Sequence, residues 1–214
     1  LKKGKHQKDV ENYFPENIAP ILEKTYINSG ISTTIAQYKR LRQTSINKYN
    51  FKNDDVLNLA VSWIDKGKTA DALQLLCCLN EFDSTKTDIQ TWIGVAIRKM
   101  NNIDESNRWF DKVLSKNPND YLATLWGKQE AGKIIFKLTE FEAAERVWLV
   151  GDFTDGLKNL IKMRKEIDYW ICEVTLPKGE VTYRFVVNNS YYTDGKNVLH
   201  AGKEENTLSK IYVW

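Results

Sequence analysis

The spacing of apolar residues separates the chain into a helical part and a strand-rich part. Before about residue 132, apolar positions recur every three or four residues, and Gly and Pro fall mainly at segment ends, a pattern that predicts α-helices. After Gly132 apolar and polar residues alternate, which predicts antiparallel strands with one face on a core. We therefore predict a multi-domain α + β chain, with an α-helical domain at residues 1–132 and a β-sandwich at residues 133–214.

Two helical segments repeat at an interval of 34 residues. The matched pairs are Leu59 with Ile93, Ala60 with Gly94, Trp63 with Ile97, Gly67 with Asn101, Ala72 with Ser106, Leu76 with Phe110 and Leu79 with Val113. Small residues at four of these positions would let antiparallel helices approach closely, and Gly67 and Asn101 suit turns with positive φ. The pattern resembles tetratricopeptide repeats, which implies helical hairpins that serve as a scaffold or dock a protein partner.

Further helices and six strands complete the predicted order of elements. An earlier helix pair is predicted at residues 17–29 and 31–44, and a last helix at residues 119–132. Strands are predicted at residues 133–141, 145–153, 168–176, 181–187, 190–193 and 207–214. Within the fourth strand, Tyr183 and Phe185 point to one side while Arg184 and Val186 point to the other.

Several short motifs in the second half occur together and in a fixed order. They are Gly151-Asp152-Phe153 at a strand end, the hairpin Leu176-Pro177-Lys178-Gly179, the run Tyr183-Arg184-Phe185-Val186-Val187, and Tyr191 followed three residues later by Asp194. Residues 143–214 thereby resemble the family-48 carbohydrate-binding module. This is the glycogen-binding domain found beside starch-branching enzymes and in the β subunit of AMP-activated protein kinase. The resemblance implies an immunoglobulin-like antiparallel β-sandwich.

The same resemblance implies a set of sugar-binding residues. Members of the family stack sugars on two aromatic planes and bind hydroxyl groups with a basic residue and an asparagine. The first aromatic position is occupied here by Gly156, whereas Tyr191, Arg184 and Asn206 match the other three, with Tyr192 as a neighbouring aromatic residue. An aromatic face suits the apolar C–H patch of a sugar ring. We therefore expect weak α-glucan binding by a non-catalytic accessory protein.

A protein–protein interaction module that has lost carbohydrate binding is the alternative. In that case Tyr191 and Tyr192 would cover a sheet edge, Arg184 would pair with a surface carboxylate, and the helices would recruit the partner. The stretch from residue 53 to 118 also resembles helical tails of bacterial serine β-lactamase-like hydrolases. The chain could then be the C-terminal part of such a hydrolase, and an extracytoplasmic location would follow if that enzyme is secreted.

Composition narrows the remaining classes of function. The 31 basic and 28 acidic side chains give a net charge of +3 without a concentrated basic run, which disfavours a nucleic-acid partner. No apolar run reaches the roughly 18–20 residues that cross a bilayer, so we predict no membrane span. The three cysteines lie within helix and strand patterns, and we expect them to be small buried hydrophobic residues that leave the compartment open.

Candidate catalytic residues are few. The two histidines, His6 and His200, have no neighbours with the spacing of a metal-binding motif. The segment from Ser45 to Lys48 matches the SxxK pattern of penicillin-recognising enzymes, but the other motifs of those enzymes are missing, which favours a chance match. We therefore predict no enzymatic activity, no metal and no cofactor.

Overall fold

The computed structural model describes residues 15–51, 54–127, 129–156, 158–202 and 207–214. The chain forms two compact units, residues 1–56 and residues 57–214. Most of the predicted helical repeats and all the strands belong to the second unit. The predicted division into domains at residue 132 coincides with the change from helix to strand and stays a prediction.

The first unit contains one long helix with a break. Helix α1 covers Ala19–Thr44 and is interrupted at Gly30, whose φ of 74° lies in the left-handed region that glycine adopts without steric cost. The break falls between the two predicted helices at residues 17–29 and 31–44. The large residues that α1 buries include Leu22 and Tyr38, at 0% and 2% exposure, and Leu41.

Five helices follow with the predicted period. They are α2 Asp55–Asp65, α3 Thr69–Phe82, α4 Thr87–Lys99, α5 Ile103–Lys116 and α6 Tyr121–Gly127. Helices α2 and α4 end 34 residues apart, as do α3 and α5. Gly67 and Asn101, which lie in the matching turns, have φ values of 78° and 65°, and this confirms the predicted need for residues that tolerate positive φ.

Small residues bring these helices close together. Ala60, Ala72 and Ser106 are 0% exposed, and the Ser106 hydroxyl donates a 2.9 Å hydrogen bond to the carbonyl oxygen of Gly94. A Cβ atom at Gly94 would approach the Phe110 ring to 3.0 Å, which is tighter than normal packing. The small positions of the repeat are therefore required by helix–helix contact.

The last helix is shorter than the predicted one at residues 119–132. Helix α6 ends at Gly127 and is followed by a 3₁₀ turn, Glu130–Gly132, in which Ala131 and Gly132 have φ values of 53° and 76°. A Cβ at Gly132 would clash with the carbonyl oxygen of Leu176, while the Leu176 N–H donates to the Gly132 carbonyl at 2.9 Å. This close pairing turns the chain into the first strand.

Nine strands form two antiparallel sheets in the described part of the chain. The strands are β1 Lys133–Leu138, β2 Val147–Gly151, β3 Ile161–Lys162, β4 Arg164–Lys165, β5 Trp170–Thr175, β6 Gly179–Val187, β7 Ser190–Tyr192, β8 His200–Ala201 and β9 Leu208–Val213. The first sheet has the order β1-β5-β4, and the second has the order β3-β2-β6-β9-β8 with β7 also paired to β6. The sequence missed β3, β4 and β8 because a two-residue strand has no detectable period.

Apolar side chains from both sheets meet in one core. The Phe136 ring of β1 lies 4.7 Å from the Tyr183 ring of β6, measured between centroids. Alternate residues of β6 are buried as predicted, with Tyr183 and Phe185 both at 0% exposure. Val186, which belongs to the outer side of β6, is also buried at 5% exposure, so part of the outer face is covered by its neighbours.

Helices and sheets of the second unit are joined by polar and aromatic contacts. The Tyr212 hydroxyl of β9 donates a 2.6 Å hydrogen bond to Asp65 at the end of α2, and Lys210 forms an ion pair with the same carboxylate. The Trp214 indole N–H donates to the carbonyl oxygen of Trp126 in α6 at 3.2 Å. The end of β9 is thereby fixed against two helices.

Candidate functional site

The predicted residues Arg184 and Tyr191 lie side by side on the outer face of the six-stranded sheet. Val186 is opposite Tyr191 in the pairing of β6 with β7, and Arg184 lies two residues before Val186 on the same side of β6. The guanidinium carbon of Arg184 is 3.7 Å from the centroid of the Tyr191 ring, a cation–π geometry. Tyr191 is 44% exposed, so solvent reaches ring surface that the guanidinium does not cover.

Tyr192 occupies a different environment from Tyr191. It is opposite Phe185 in the strand pairing, and adjacent residues of a strand point to opposite faces. Its ring lies 4.4 Å from that of Phe141 and keeps 37% exposure. The structure therefore brings Arg184 and Tyr191 together and places Tyr192 on the other side of β7.

Of the two other positions of the predicted sugar site, the structure describes only Gly156. Asn206 lies outside the described residues. Gly156 is exposed and has a φ of 54°, and a Cβ built there would meet no atom within 4 Å. A larger side chain at this position would have space, but its backbone would be strained.

Trp148 is a further aromatic residue on this face, outside the predicted set of site residues. It pairs with Val186 across β2 and β6, so Trp148, Val186 and Tyr191 form one line across three strands, which we call the aromatic row. Because neighbouring strands lie about 4.8 Å apart, the backbones of Trp148 and Tyr191 are separated by roughly 10 Å. Trp148 is half-buried. The alternation Val147, Trp148, Leu149 already indicated that its side chain points outward.

A second arginine accompanies Trp148. The guanidinium carbon of Arg146 lies 5.2 Å from the Trp148 ring centroid, and its Nη2 donates to the side-chain oxygen of Asn189 at 3.2 Å. The Asn188 side-chain oxygen accepts hydrogen bonds from the backbone N–H groups of Glu145 and Arg146, at 3.1 and 3.2 Å. The turn between β6 and β7 therefore holds the start of β2 and the arginine in place.

The Gly151-Asp152-Phe153 motif fixes the other end of β2. A Cβ at Gly151 would clash with the carbonyl oxygen of Thr182, so only glycine permits this approach of the two strands. The Asp152 carboxylate accepts hydrogen bonds from the N–H and the hydroxyl of Thr182, at 2.9 and 3.2 Å. These contacts keep β2 in register with β6, and hence Trp148 beside Val186.

Asp194 anchors the chain after β7. This residue is 1% exposed, and one carboxylate oxygen accepts hydrogen bonds from the hydroxyls of Tyr121 and Tyr183, both at 2.6 Å. The other oxygen accepts the Lys196 N–H at 3.0 Å. Burial raises the pKa of the Asp194 carboxyl against the effect of these donors, and burial also raises the pKa of Tyr183 well above its usual range.

Among the described residues, the catalytic candidates Ser45 and Lys48 have contacts with other side chains. The Ser45 hydroxyl lies 3.3 Å from that of Thr44, and the Lys48 ammonium lies 3.8 Å from a carboxylate oxygen of Glu16. His200 is exposed on β8, and His6 lies outside the described residues. Within the described ranges, no three His, Cys, Asp or Glu side chains are grouped so as to hold a metal ion, and no helix is sufficiently long and apolar to span a membrane.

The cysteines are only partly as predicted. Cys78 is buried and Cys172 is half-buried, but Cys77 is exposed, which corrects the prediction that all three are small core residues. Leu75 and Leu76 fill the buried face of α3 at 0% exposure, and Cys77 falls on the solvent side between Leu76 and Cys78. Burial raises the pKa of the Cys172 thiol to about 12.

Comparison with known proteins gives partial similarities. No family model matches the chain, and no curated protein matches it. Among solved structures, the chain is similar to a maltogenic amylase from S. marinus, with a TM-score of 0.34 and 23% identity over 38% of this chain and 13% of that one. It is also similar to MamA, with a TM-score of 0.34 and 18% identity over 49% of this chain and 59% of that one.

Proposed function

We propose that residues 133–214 form an immunoglobulin-like β-sandwich that binds α-glucan weakly, and that the tetratricopeptide-like helices before it act as a scaffold. The chain would then be a non-catalytic accessory protein or part of one. The observation that carries the proposal is the Arg184–Tyr191 pair, in which an exposed ring and a guanidinium group lie 3.7 Å apart on an outer sheet face. Asn206 keeps the supporting role that the family resemblance implies, whereas Tyr192 lies on the opposite side of β7 from Tyr191 and is left out of the proposed site.

The chemistry of this pair suits a sugar. A pyranose ring can stack its C–H groups on an aromatic face, while its hydroxyl oxygens accept hydrogen bonds from a guanidinium group. Trp148 offers a second stacking surface at the far end of the aromatic row. The expected affinity is low because Gly156 occupies the position where the family has its first stacking aromatic residue. The loss of one aromatic contact costs about 1 kcal/mol, or roughly fivefold in affinity.

Titration with maltoheptaose tests the proposal. We expect chemical-shift changes at Arg184, Tyr191 and Trp148, and Tyr191→Ala should weaken binding by about fivefold or more. The matched control is Tyr169→Ala. The Tyr169 ring also lies beside a cation, with its centroid 3.8 Å from the ammonium nitrogen of Lys137, but this pair lies at the other sheet. Unchanged signals from Arg184 and Tyr191 at saturating sugar would reject the proposal.

A protein-interaction role for the helices is the second candidate. Met100 and Ile103, on either side of the α4–α5 turn, are 50% and 53% exposed, and exposed apolar neighbours favour protein contacts. The full chain should be used, because removal of residues 1–132 would take away Tyr121 and Trp126, which contact the strands. Loss of a co-purifying protein in Met100→Glu/Ile103→Glu, with retention in Tyr191→Ala, would support this role, and retention in both variants would contradict it.

A further inference from the structure

The aromatic row carries more positive charge than a neutral sugar requires. Arg146 and Arg184 each lie over one of its rings, at 5.2 and 3.7 Å from the centroids. Among the described residues neither arginine forms an ion pair, although other basic residues of the chain do. The exposed Lys162 lies opposite Trp148 in the pairing of β2 with β3. Three cationic residues therefore accompany the row.

Carboxylates close to the row in sequence do not neutralise these cations. Asp152 accepts hydrogen bonds from Thr182, and Glu145 precedes Arg146 directly. Neither of them forms an ion pair with Arg146 or Arg184. Arg146 uses its Nη2 on the side-chain oxygen of Asn189, and the remaining N–H donors of the two guanidinium groups are available for an anion brought by a ligand.

Arginine is well suited to that task. Its planar fork of N–H donors matches the oxygens of a phosphate group, with which it forms short charge-assisted hydrogen bonds. Contact with an aromatic ring restricts the side chain before a ligand binds, so less rotamer entropy is lost on binding. Hydroxyl groups of an unmodified sugar would use only part of this donor capacity.

The spacing of the two arginines indicates how an extended ligand would be held. Arg184 pairs with Val150, four residues along β2 from Arg146. At about 3.3 Å per residue along a strand and 4.8 Å between strands, the two backbone positions are roughly 14 Å apart. Two anionic groups on different sugar units of one oligosaccharide could therefore each meet an arginine.

We propose that the aromatic row binds α-glucan that carries phosphate groups, with Trp148 and Tyr191 stacking sugar rings and Arg146 and Arg184 binding the phosphates. This inference rests on the proposed function and adds the chemical class of the ligand. Single-stranded nucleic acid also combines rings with phosphates. Among the described residues the row holds two ring surfaces roughly 10 Å apart with Arg146, Arg184 and Lys162 beside them, a small number of cations compared with the backbone-tracking groove of single-strand binders, which favours a short glycan.

The test compares phosphorylated maltodextrin with the same preparation after phosphatase treatment, using the full chain and calorimetric titration. We expect the phosphorylated form to bind about tenfold more tightly, and its advantage to shrink as salt rises from about 50 to 300 mM. Arg146→Gln and Arg184→Gln should each remove most of that advantage. Arg164→Gln is the matched control, because Arg164 pairs with Glu166 at 2.8 Å on the other sheet.

The outcomes separate this inference from the proposed function. Equal affinity for the two preparations would overturn the inference and leave α-glucan binding in place. Absence of binding to both would overturn the two proposals together. Tighter binding of an oligouridylate of the same charge, lost in Trp148→Ala and Tyr191→Ala, would overturn the inference in favour of nucleic acid.

Discussion

Replacing Tyr183 with Phe removes one hydroxyl group from the buried cluster around Asp194. The Tyr183 side chain is 0% exposed, and its hydroxyl donates to Asp194 at 2.6 Å and accepts from the Asn197 amide at 3.2 Å. The aromatic ring stays in place, so little packing is lost. Asn197 keeps its hydrogen bond to the carbonyl oxygen of Lys210 at 2.9 Å. The cost of the substitution therefore arises mainly at Asp194.

Its magnitude follows from the donor that Asp194 loses. A hydrogen bond to a charged group contributes about 1.5–3 kcal/mol, and a buried acceptor cannot recover the lost donor from water. We expect Tyr183→Phe to lower the free energy of unfolding by about 2 kcal/mol, which corresponds to roughly 4–8 °C in melting temperature for a unit of this size. Urea unfolding and calorimetry measure both quantities.

The control removes a hydroxyl that makes no hydrogen bond within the described part of the chain. Tyr169→Phe, at the residue before β5, should change the free energy of unfolding by less than about 0.5 kcal/mol. In the double variant Tyr121→Phe/Tyr183→Phe the effects should not add, with a coupling energy of about 0.5 kcal/mol or more, because both hydroxyls donate to one oxygen. A loss below about 0.5 kcal/mol for Tyr183→Phe would refute the anchoring role of Asp194.

Three further predictions concern pH, thiols and the missing platform. Burial acts to raise the pKa of Asp65, but its hydrogen bonds, first that with Lys210, lower the pKa overall. The stability that ionised Asp65 contributes is therefore present above about pH 4 and is lost as the pH falls through the lowered pKa. Asp65→Asn should lack this loss of stability when unfolding is followed during acid titration. Cys77 is exposed, whereas burial raises the pKa of the Cys172 thiol to about 12 and so disfavours its reactive thiolate form. Mass spectrometry after brief iodoacetamide treatment should therefore find Cys77 modified before Cys172, and equal modification of the two would contradict this. Gly156→Trp should increase maltoheptaose binding by about fivefold and lower the free energy of unfolding by about 1–2 kcal/mol because of the positive φ, and unchanged binding would contradict it.

The period of the sequence predicted the helices well because helix pairing depends on small residues at fixed positions. Gly94 and Ser106 had to be small for two helices to touch, and Gly67 and Asn101 had to tolerate positive φ, so all four leave a sequence signal. No sequence pattern predicts that α6 ends at Gly127. The end of this helix depends on the close approach of Gly132 to the backbone of Leu176, a contact between residues 44 positions apart.

The candidate site was predicted in part. The family resemblance predicts Arg184 and Tyr191 as site residues, and strand pairing brings them together. The resemblance also predicts Tyr192, but adjacent residues of a strand point to opposite faces, so Tyr192 lies on the other side of β7 from Tyr191. The local alternation in β2 predicts that Trp148 points outward, but not which residue of β6 it lies beside. That placement depends on the register between β2 and β6, which a local sequence pattern does not determine, so Trp148 is absent from the predicted site.

The helices and the candidate glycan-binding face depend on each other physically. Asp194 lies three residues after Tyr191, and one of its two hydroxyl donors is Tyr121 of α6. The same helix contributes Trp126, whose ring lies 6.4 Å from that of Trp214 after β9. Removing the helices would leave Asp194 buried with fewer donors and loosen the segment that carries Tyr191. A sandwich excised at residue 132 should therefore bind glucan less well than the full chain, even though the helices contribute no residue to the aromatic row.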